Sequence, residues 1–167
     1  MEKKYKDYEV AIFSDHGMTT LTDELNINQY LEKTGLKFGA DYLSFLDSTM
    51  ARFWYFSDES RKKVRDCLSS CDKVTLIPDD TLKEWGVYFD DFKYGEDIYL
   101  TDPGVQIVPS DMGANSLPGM HGYSPEHPDS DAMWMSNYEP GKYPTEVKEI
   151  FNCTKEKIDE IVREKSN

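Results

Sequence analysis

The chain is 167 residues long, the size of one ordinary domain and enough to bury roughly 70% of its unfolded surface. Nineteen basic against thirty-two acidic residues leave a formal charge of −13, which argues against a nucleic-acid duplex or an anionic membrane surface as the principal partner. A phosphate substrate stays open, because bound divalent metals invert the local field of a negative protein. No apolar run approaches the ~18 residues of a membrane span, and the lysine-rich start Met1-Glu2-Lys3-Lys4-Tyr5-Lys6 has no apolar stretch behind it. As written, the sequence reads as soluble, unexported and cytoplasmic. Cys67, Cys71 and Cys153 make neither a disulfide framework nor a paired zinc motif. Cys67 and Cys71, at i, i+4, read as free thiols on or just beyond one helix's buried face.

Residues 9–14 hold the apolar run Val10-Ala11-Ile12-Phe13 and predict a short buried strand, parallel because the run does not alternate. It ends on Ser14-Asp15-His16-Gly17-Met18. Adjacent residues of a strand point to opposite faces, but beyond the strand's end the chain can curl, with Gly17 free to take a positive φ. Asp15 and His16 can then turn to one ion, and a carboxylate oxygen with an imidazole nitrogen suits zinc or manganese better than calcium. The competing reading makes Asp15 a turn cap and His16 an ordinary loop histidine.

The polar run Thr19 to Glu24 predicts a loop or short edge strand. Asn26-Ile27-Asn28-Gln29 has the pattern of a capping box, opening a two-turn helix that Gly35 stops. Tyr42 to Leu46 and Met50 to Phe56 read as a hairpin across Asp47-Ser48-Thr49. The aromatic run Phe53-Trp54-Tyr55-Phe56 reads as core packing, since it lacks the interleaved cations of a base-stacking platform. Ser57-Asp58-Glu59 opens a helix with Val64, Cys67 and Leu68 on its apolar face and Arg61-Lys62-Lys63 as solvated charge. Lys73 to Ile77 predicts a strand, and Asp79 or Asp80 caps a short helix ended by Gly86.

Ile98 to Leu100 and Val105 to Val108 predict strands joined across Pro103-Gly104. Residues 109–130 are aperiodic, and a loop of that length carrying Gly119-Met120-His121-Gly122-Tyr123 reads as functional. Asp131 to Ser136 predicts a last strand. Thr145 begins a short helix, and Thr154 caps a closing one with Ile158, Ile161 and Val162 facing inward. His127 reads as an exposed loop histidine, or else as part of a cleft rim, and Asp111, Asp129 and Asp131 as turn residues.

Ser14-Asp15-His16-Gly17-Met18, followed far downstream by His121-Gly122-Tyr123 and Met133, resembles the alkaline phosphatase superfamily, in particular its type I phosphodiesterase/nucleotide pyrophosphatase branch. The resemblance implies an α/β fold: part of an alkaline-phosphatase-like three-layer sandwich formed by residues 1–36 and 96–167. A small α+β lobe, residues 37–95, is inserted between the metal motifs. It also implies two divalent metal ions, zinc or else manganese, and a small phosphate-ester substrate. Asp15 and His16 would ligate the ion that activates the nucleophile, and His121 the second ion, with Tyr123 packing behind it.

The family pattern also needs a metal-binding Asp, a Thr or Ser nucleophile and an Asp-x-x-x-His pair ahead of the Asp-His motif. Thirteen residues precede Ser14; Asp7 is in no such motif, and Thr19 and Thr20 come too late. No catalytic residue is therefore assigned. The chain reads as the C-terminal part of such a domain, with weak metal binding, no activity alone, and either a missing N-terminal half or self-association to cover its sheet. The alternative is a non-catalytic binding or interaction module derived from the family.

Overall fold

The computed structural model describes residues 8–165; Asp7 and the lysine-rich start lie outside them. In chain order the strands are β1 (Ala11–Phe13), β2 (Thr19–Thr20), β3 (Asp23–Leu25), β4 (Tyr42–Leu46), β5 (Met50–Tyr55), β6 (Val74–Leu76), β7 (Asp97–Thr101), β8 (Val105–Ile107), β9 (Gly119–Met120) and β10 (Trp134–Ser136). The α-helices are α1 (Asn28–Leu31), α2 (Asp58–Leu68), α3 (Asp79–Glu84) and α4 (Ile150–Lys165). The chain divides into two units, Met1–Gly17 with Asp131–Asn167 and Met18–Ser130.

In the first unit β1 pairs antiparallel with β10, and Phe13 stacks on its register partner Trp134 at 5.8 Å. The expected buried parallel strand is thus an antiparallel one, with Ile12 52% and Phe13 50% exposed. An unalternating apolar run tells that both faces can be covered, not which chain segment covers them; a two-stranded ribbon covers neither. The closing helix also differs. A 3-10 turn, Val147–Glu149, runs straight into α4, so the two expected helices are one. Thr154 lies inside it, its hydroxyl donating to the Ile150 carbonyl at 2.8 Å, the i−4 bond available to a helical threonine. Ile158 and Val162 point largely outward, at 54% and 58% exposure.

The second unit is built on the antiparallel sheet β4-β5-β7-β6. The expected hairpin is present, with Tyr42 opposite Tyr55 and Leu46 opposite Ala51. The segment β5–α2–β6 is a split βαβ, because β7 lies between its two strands. Ser57 caps α2 as its sequence predicts, accepting from the Ser60 amide at 3.1 Å. The helix buries Val64 and Leu68 against Phe53, Tyr42 and Tyr99, and Cys71 joins this core while Cys67 is half-buried. Phe56, at the end of the aromatic run, is exposed instead. Two further pairings complete the unit: β3 runs parallel to β8, and β2 antiparallel to β9.

Two local expectations fail here, and in the first of them packing outweighs a polar signature. The helix after β3 begins at Asn28 with Ile27 at its cap position in helical geometry, and no side chain caps it. Ile27 is fully buried, and Asn26 Oδ1 is left buried without a hydrogen-bond partner. Likewise Pro78, not an aspartate, stands at the cap of α3.

The charge run of α2 is only partly solvated. Lys62 and Lys63 pair with Asp66 and Glu59 on the surface, but Arg61 and Arg65, one turn apart, reach the buried carboxylate of Asp97 at the start of β7. Arg61 Nη2 and Arg65 Nη2 each donate to Oδ1 at 2.7 Å, Arg65 Nε to Oδ2 at 2.7 Å and Tyr55 Oη to Oδ2 at 3.1 Å. Burial alone pushes the Asp97 pKa up, but the hydrogen bonds and charges of Arg65 and Arg61 outweigh it and hold the carboxyl below its ordinary value. The same burial, with the Asp97 charge beside it, pushes the Tyr55 phenol far up.

Asp97→Asn is expected to lower stability at pH 7 by about 3 kcal/mol, because both guanidiniums lose their buried counter-charge. The native carboxylate, with its pKa depressed, contributes fully above the unfolded value of about 3.9 and loses that contribution as pH falls through the folded value. Urea unfolding should therefore show the two proteins converging as pH falls below about 4. A constant gap from pH 7 down to pH 2.5 would contradict the ion cluster.

Candidate metal centre

The first motif begins where β1 ends. Ser14 closes the ribbon: its amide donates to the Met133 carbonyl at 3.1 Å, and its hydroxyl accepts from the Met133 amide at 3.0 Å. The chain then leaves the strand direction in a bend at Asp15 and His16. His16 Nδ1 lies 2.7 Å from the Gly17 carbonyl oxygen. A carbonyl only accepts, so Nδ1 carries the proton and the lone pair of the neutral ring is on Nε2. That Nε2 stands 3.5 Å from Asp15 Oδ1. Both atoms are reachable, with side-chain exposures of 37% for His16 and 81% for Asp15.

This arrangement fits a divalent ion. Zinc bonds of about 2.0–2.1 Å in tetrahedral geometry put two ligand atoms about 3.4 Å apart. A histidine that ligates through one nitrogen ordinarily donates its other N–H to a carbonyl or carboxylate, which fixes tautomer and ring angle. The Nδ1 contact with Gly17 has that form. Among the described residues, however, no group of three or more His, Cys, Asp or Glu side chains is gathered to hold a metal ion. Asp15 and His16 offer two donor atoms at ligand spacing, not a cage.

His121 belongs to the second unit, and its surroundings are described there. It follows β9 directly and is exposed, but its backbone is fixed. Thr49, buried at the end of the β4–β5 turn, donates its hydroxyl to the Gly122 carbonyl at 2.9 Å, with the His121 carbonyl at 3.3 Å. Gly122 has φ +90°, and a Cβ there would stand 2.9 Å from Thr49 Oγ1, so both conformation and space require glycine. The next residue, Tyr123, is buried and donates its hydroxyl to the Val105 carbonyl at 3.1 Å, and burial pushes its phenol above the ordinary value. It is thus a buried, hydrogen-bonded packing residue two positions after His121.

The remaining site candidates have local roles. His127 is half-buried, and its Nδ1 accepts from the Asp129 amide at 3.2 Å, within the turn at Pro128–Ser130. Asp111 Oδ2 accepts from the Leu46 amide at 2.7 Å and ties its turn to the end of β4. Sequence reasoning missed Thr49, which contacts residues 72 and 73 positions away, and no local pattern marks such a contact. It also missed Arg61, Arg65 and Asp97, where the one usable signal was the i, i+4 spacing of two arginines on the helix's inner side.

The family model described as type I phosphodiesterase / nucleotide pyrophosphatase matches residues 1–124. No curated protein matches the chain. Among solved structures, murine ectonucleotide pyrophosphatase / phosphodiesterase 5 is similar at a TM-score of 0.61 and 18% identity, over 79% of this chain and 34% of its own. The human counterpart has a TM-score of 0.61 and 19% identity, over 79% and 34%. Phosphonoacetate hydrolase from Sinorhizobium meliloti 1021 has a TM-score of 0.59 and 14% identity, over 81% and 37%. Identities this low report fold alone: the mixed α/β fold is that of these enzymes over part of their length, and the chain spans about a third of each. The murine enzyme, in an inactive form, is also described in complex with AMP, and the hydrolase in complex with phosphonoacetate.

Thr49→Val removes the hydroxyl that holds the His121-Gly122 backbone and is expected to cost about 1–2 kcal/mol. Hydrogen exchange should show faster opening at residues 121–123, with α2 unchanged. Equal protection at 121–123 in both proteins would contradict the tie.

Proposed function

This chain belongs to the type I phosphodiesterase / nucleotide pyrophosphatase family, and we propose that it supplies part of the metal centre of a two-metal phosphohydrolase acting on a small phosphate ester. Asp15 and His16 are proposed as ligands of the ion that activates the nucleophile, and His121 as a ligand of the other. One observation carries the reading: His16 Nε2 is turned to Asp15 Oδ1 at 3.5 Å, while Nδ1 is tied to the Gly17 carbonyl. It is supported by the family match over residues 1–124, which include both motifs.

Paired divalent ions, when bound in such a site, polarise a phosphoryl oxygen and offset the charge of the transition state. Zinc is the proposed metal, manganese the alternative. The residues of this chain do narrower work. The Gly17 carbonyl holds the His16 ring in the tautomer that places the lone pair on Nε2, the Asp15 carboxylate supplies negative charge beside it, and Thr49 and Tyr123 set the backbone that carries His121. The nucleophile of the family pattern is proposed to lie outside these residues, so that hydrolysis needs a further part of the domain. The sheet unit between the motifs is proposed to shape access to the substrate.

The second reading is a family-derived interaction module without catalysis. What favours it is apolar surface on the first unit: Phe151 is 72% exposed, and Ile12, Met135 and Ile158 are each more than half exposed. Such surface asks for a cover, either the rest of the domain or a second copy. Among the described residues, no helix is long and apolar enough to cross a membrane.

Calorimetric titration with zinc is expected to show weak binding, since two ligands plus water seldom make a tight site. His16→Ala and His121→Ala should each remove uptake, and the chain alone should not hydrolyse an aryl phosphodiester. Unchanged zinc stoichiometry in both variants would refute the ligand assignment. Turnover that survives removal of all divalent metals would refute the two-metal reading itself.

A further inference from the structure

We infer that the second unit carries a ligand site of its own, separate from the metal motifs, for a two-ring aromatic carboxylate. The main sheet has two different faces. Ala51, Phe53, Tyr55 and Tyr99 belong to the side that meets α2, and strand alternation sends Met50, Arg52, Ile98 and Leu100 to the other. That other face is covered by α3 and the segment after it, and a cavity of about 410 Å³ remains between them. Met50, Ile77, Leu82, Trp85, Phe89 and Leu100 supply most of its wall. The volume is within the roughly 300–1,000 Å³ of small-molecule sites, and a mostly apolar wall with one convergent polar group is their usual composition.

The polar group is Arg52, the one cation in that lining. Among the described residues the guanidinium is ion-paired through Nη2 with Asp47 Oδ2 at 3.4 Å, and Nε, which has no hydrogen-bond partner, is buried away from the cavity surface. The guanidinium also lies over the Phe45 ring at 5.2 Å. The terminal N–H groups that the Asp47 contact leaves over, beside apolar walls, select a carboxylate. The aromatic side chains of Trp85, Phe89 and Tyr94 in the same lining favour a flat ring system as its body. The enclosing segment is held in place: Trp54 Nε1 donates to the Phe92 carbonyl at 2.7 Å, and Phe92 itself has φ 50°, a left-handed backbone that this contact helps to maintain. The site uses no residue of either metal motif.

The test is titration of the full chain with 2-naphthoate and with its neutral analogue 2-naphthylmethanol, followed by tryptophan fluorescence and by amide and Arg52 Nε–H NMR shifts. Wild type is expected to bind one naphthoate saturably and the alcohol about tenfold more weakly, as loss of a charge-assisted pair implies. Arg52→Met should bind the two alike, and Ile77→Trp, which fills the cavity from a half-exposed position, should bind neither. Should either variant misfold, the wild-type shifts decide: they must centre on Ile77, Leu100 and the Arg52 Nε–H. No saturable binding, equal affinity of wild type for acid and alcohol, or shifts centred elsewhere would overturn the site.

Discussion

The second unit depends on one buried carboxylate. Asp97 is 2% exposed, and a lone ion there would be intolerable; four hydrogen bonds from Arg61 and Arg65 and one from Tyr55 make it a joint. It locks β7 to α2 and to β5, the three elements whose side chains make the core around Phe53. The lock reaches further along β7. At that strand's far end, Thr101 donates from its amide and its hydroxyl to the Thr49 carbonyl, at 2.9 and 3.2 Å. The Thr49 hydroxyl in turn holds the Gly122 carbonyl beside His121. An exposed histidine therefore rests on a backbone traced through hydrogen bonds to a buried ion cluster.

The Asp15-His16 pair is built differently. Among the described residues, the Ser14–Met133 closure of a two-stranded ribbon and a carbonyl that orients one ring support it. Local geometry alone gives it the spacing of two metal ligands. The sheet unit holds the backbone of His121, whereas Asp15 and His16 follow the end of a two-stranded ribbon. The exposed apolar side chains of the ribbon and of α4 belong to the same unit as that pair.

Sequence made local features readable because their causes are local. Ser57 caps its helix from one residue away, the Asp47-Ser48-Thr49 turn joins adjacent strands, and the order of two short motifs sufficed to identify the family. What failed was decided across distance. Asn26 carries a capping pattern, but burial of Ile27 takes precedence, and the amide oxygen is left without a partner. Thr154 looks like a cap and instead bonds backward within one long helix. The apolar run at Val10 to Phe13 correctly marks a strand, yet it could not reveal its antiparallel partner 123 residues away in register, Ile12 with Met135. Asp97 and Thr49 carry no local mark at all, since their partners lie tens of residues off.

The central claim is that His16 is a metal ligand by construction, with Nδ1 protonated on the Gly17 carbonyl and Nε2 offered beside Asp15. Long-range ¹H–¹⁵N spectra of the histidine rings, recorded while zinc is added, test it most directly. The account predicts that His16 Nε2 shifts on binding while Nδ1 keeps its proton, and that Asp15→Asn weakens the response. Zinc bound through His16 Nδ1, or a response confined to His127, would contradict it.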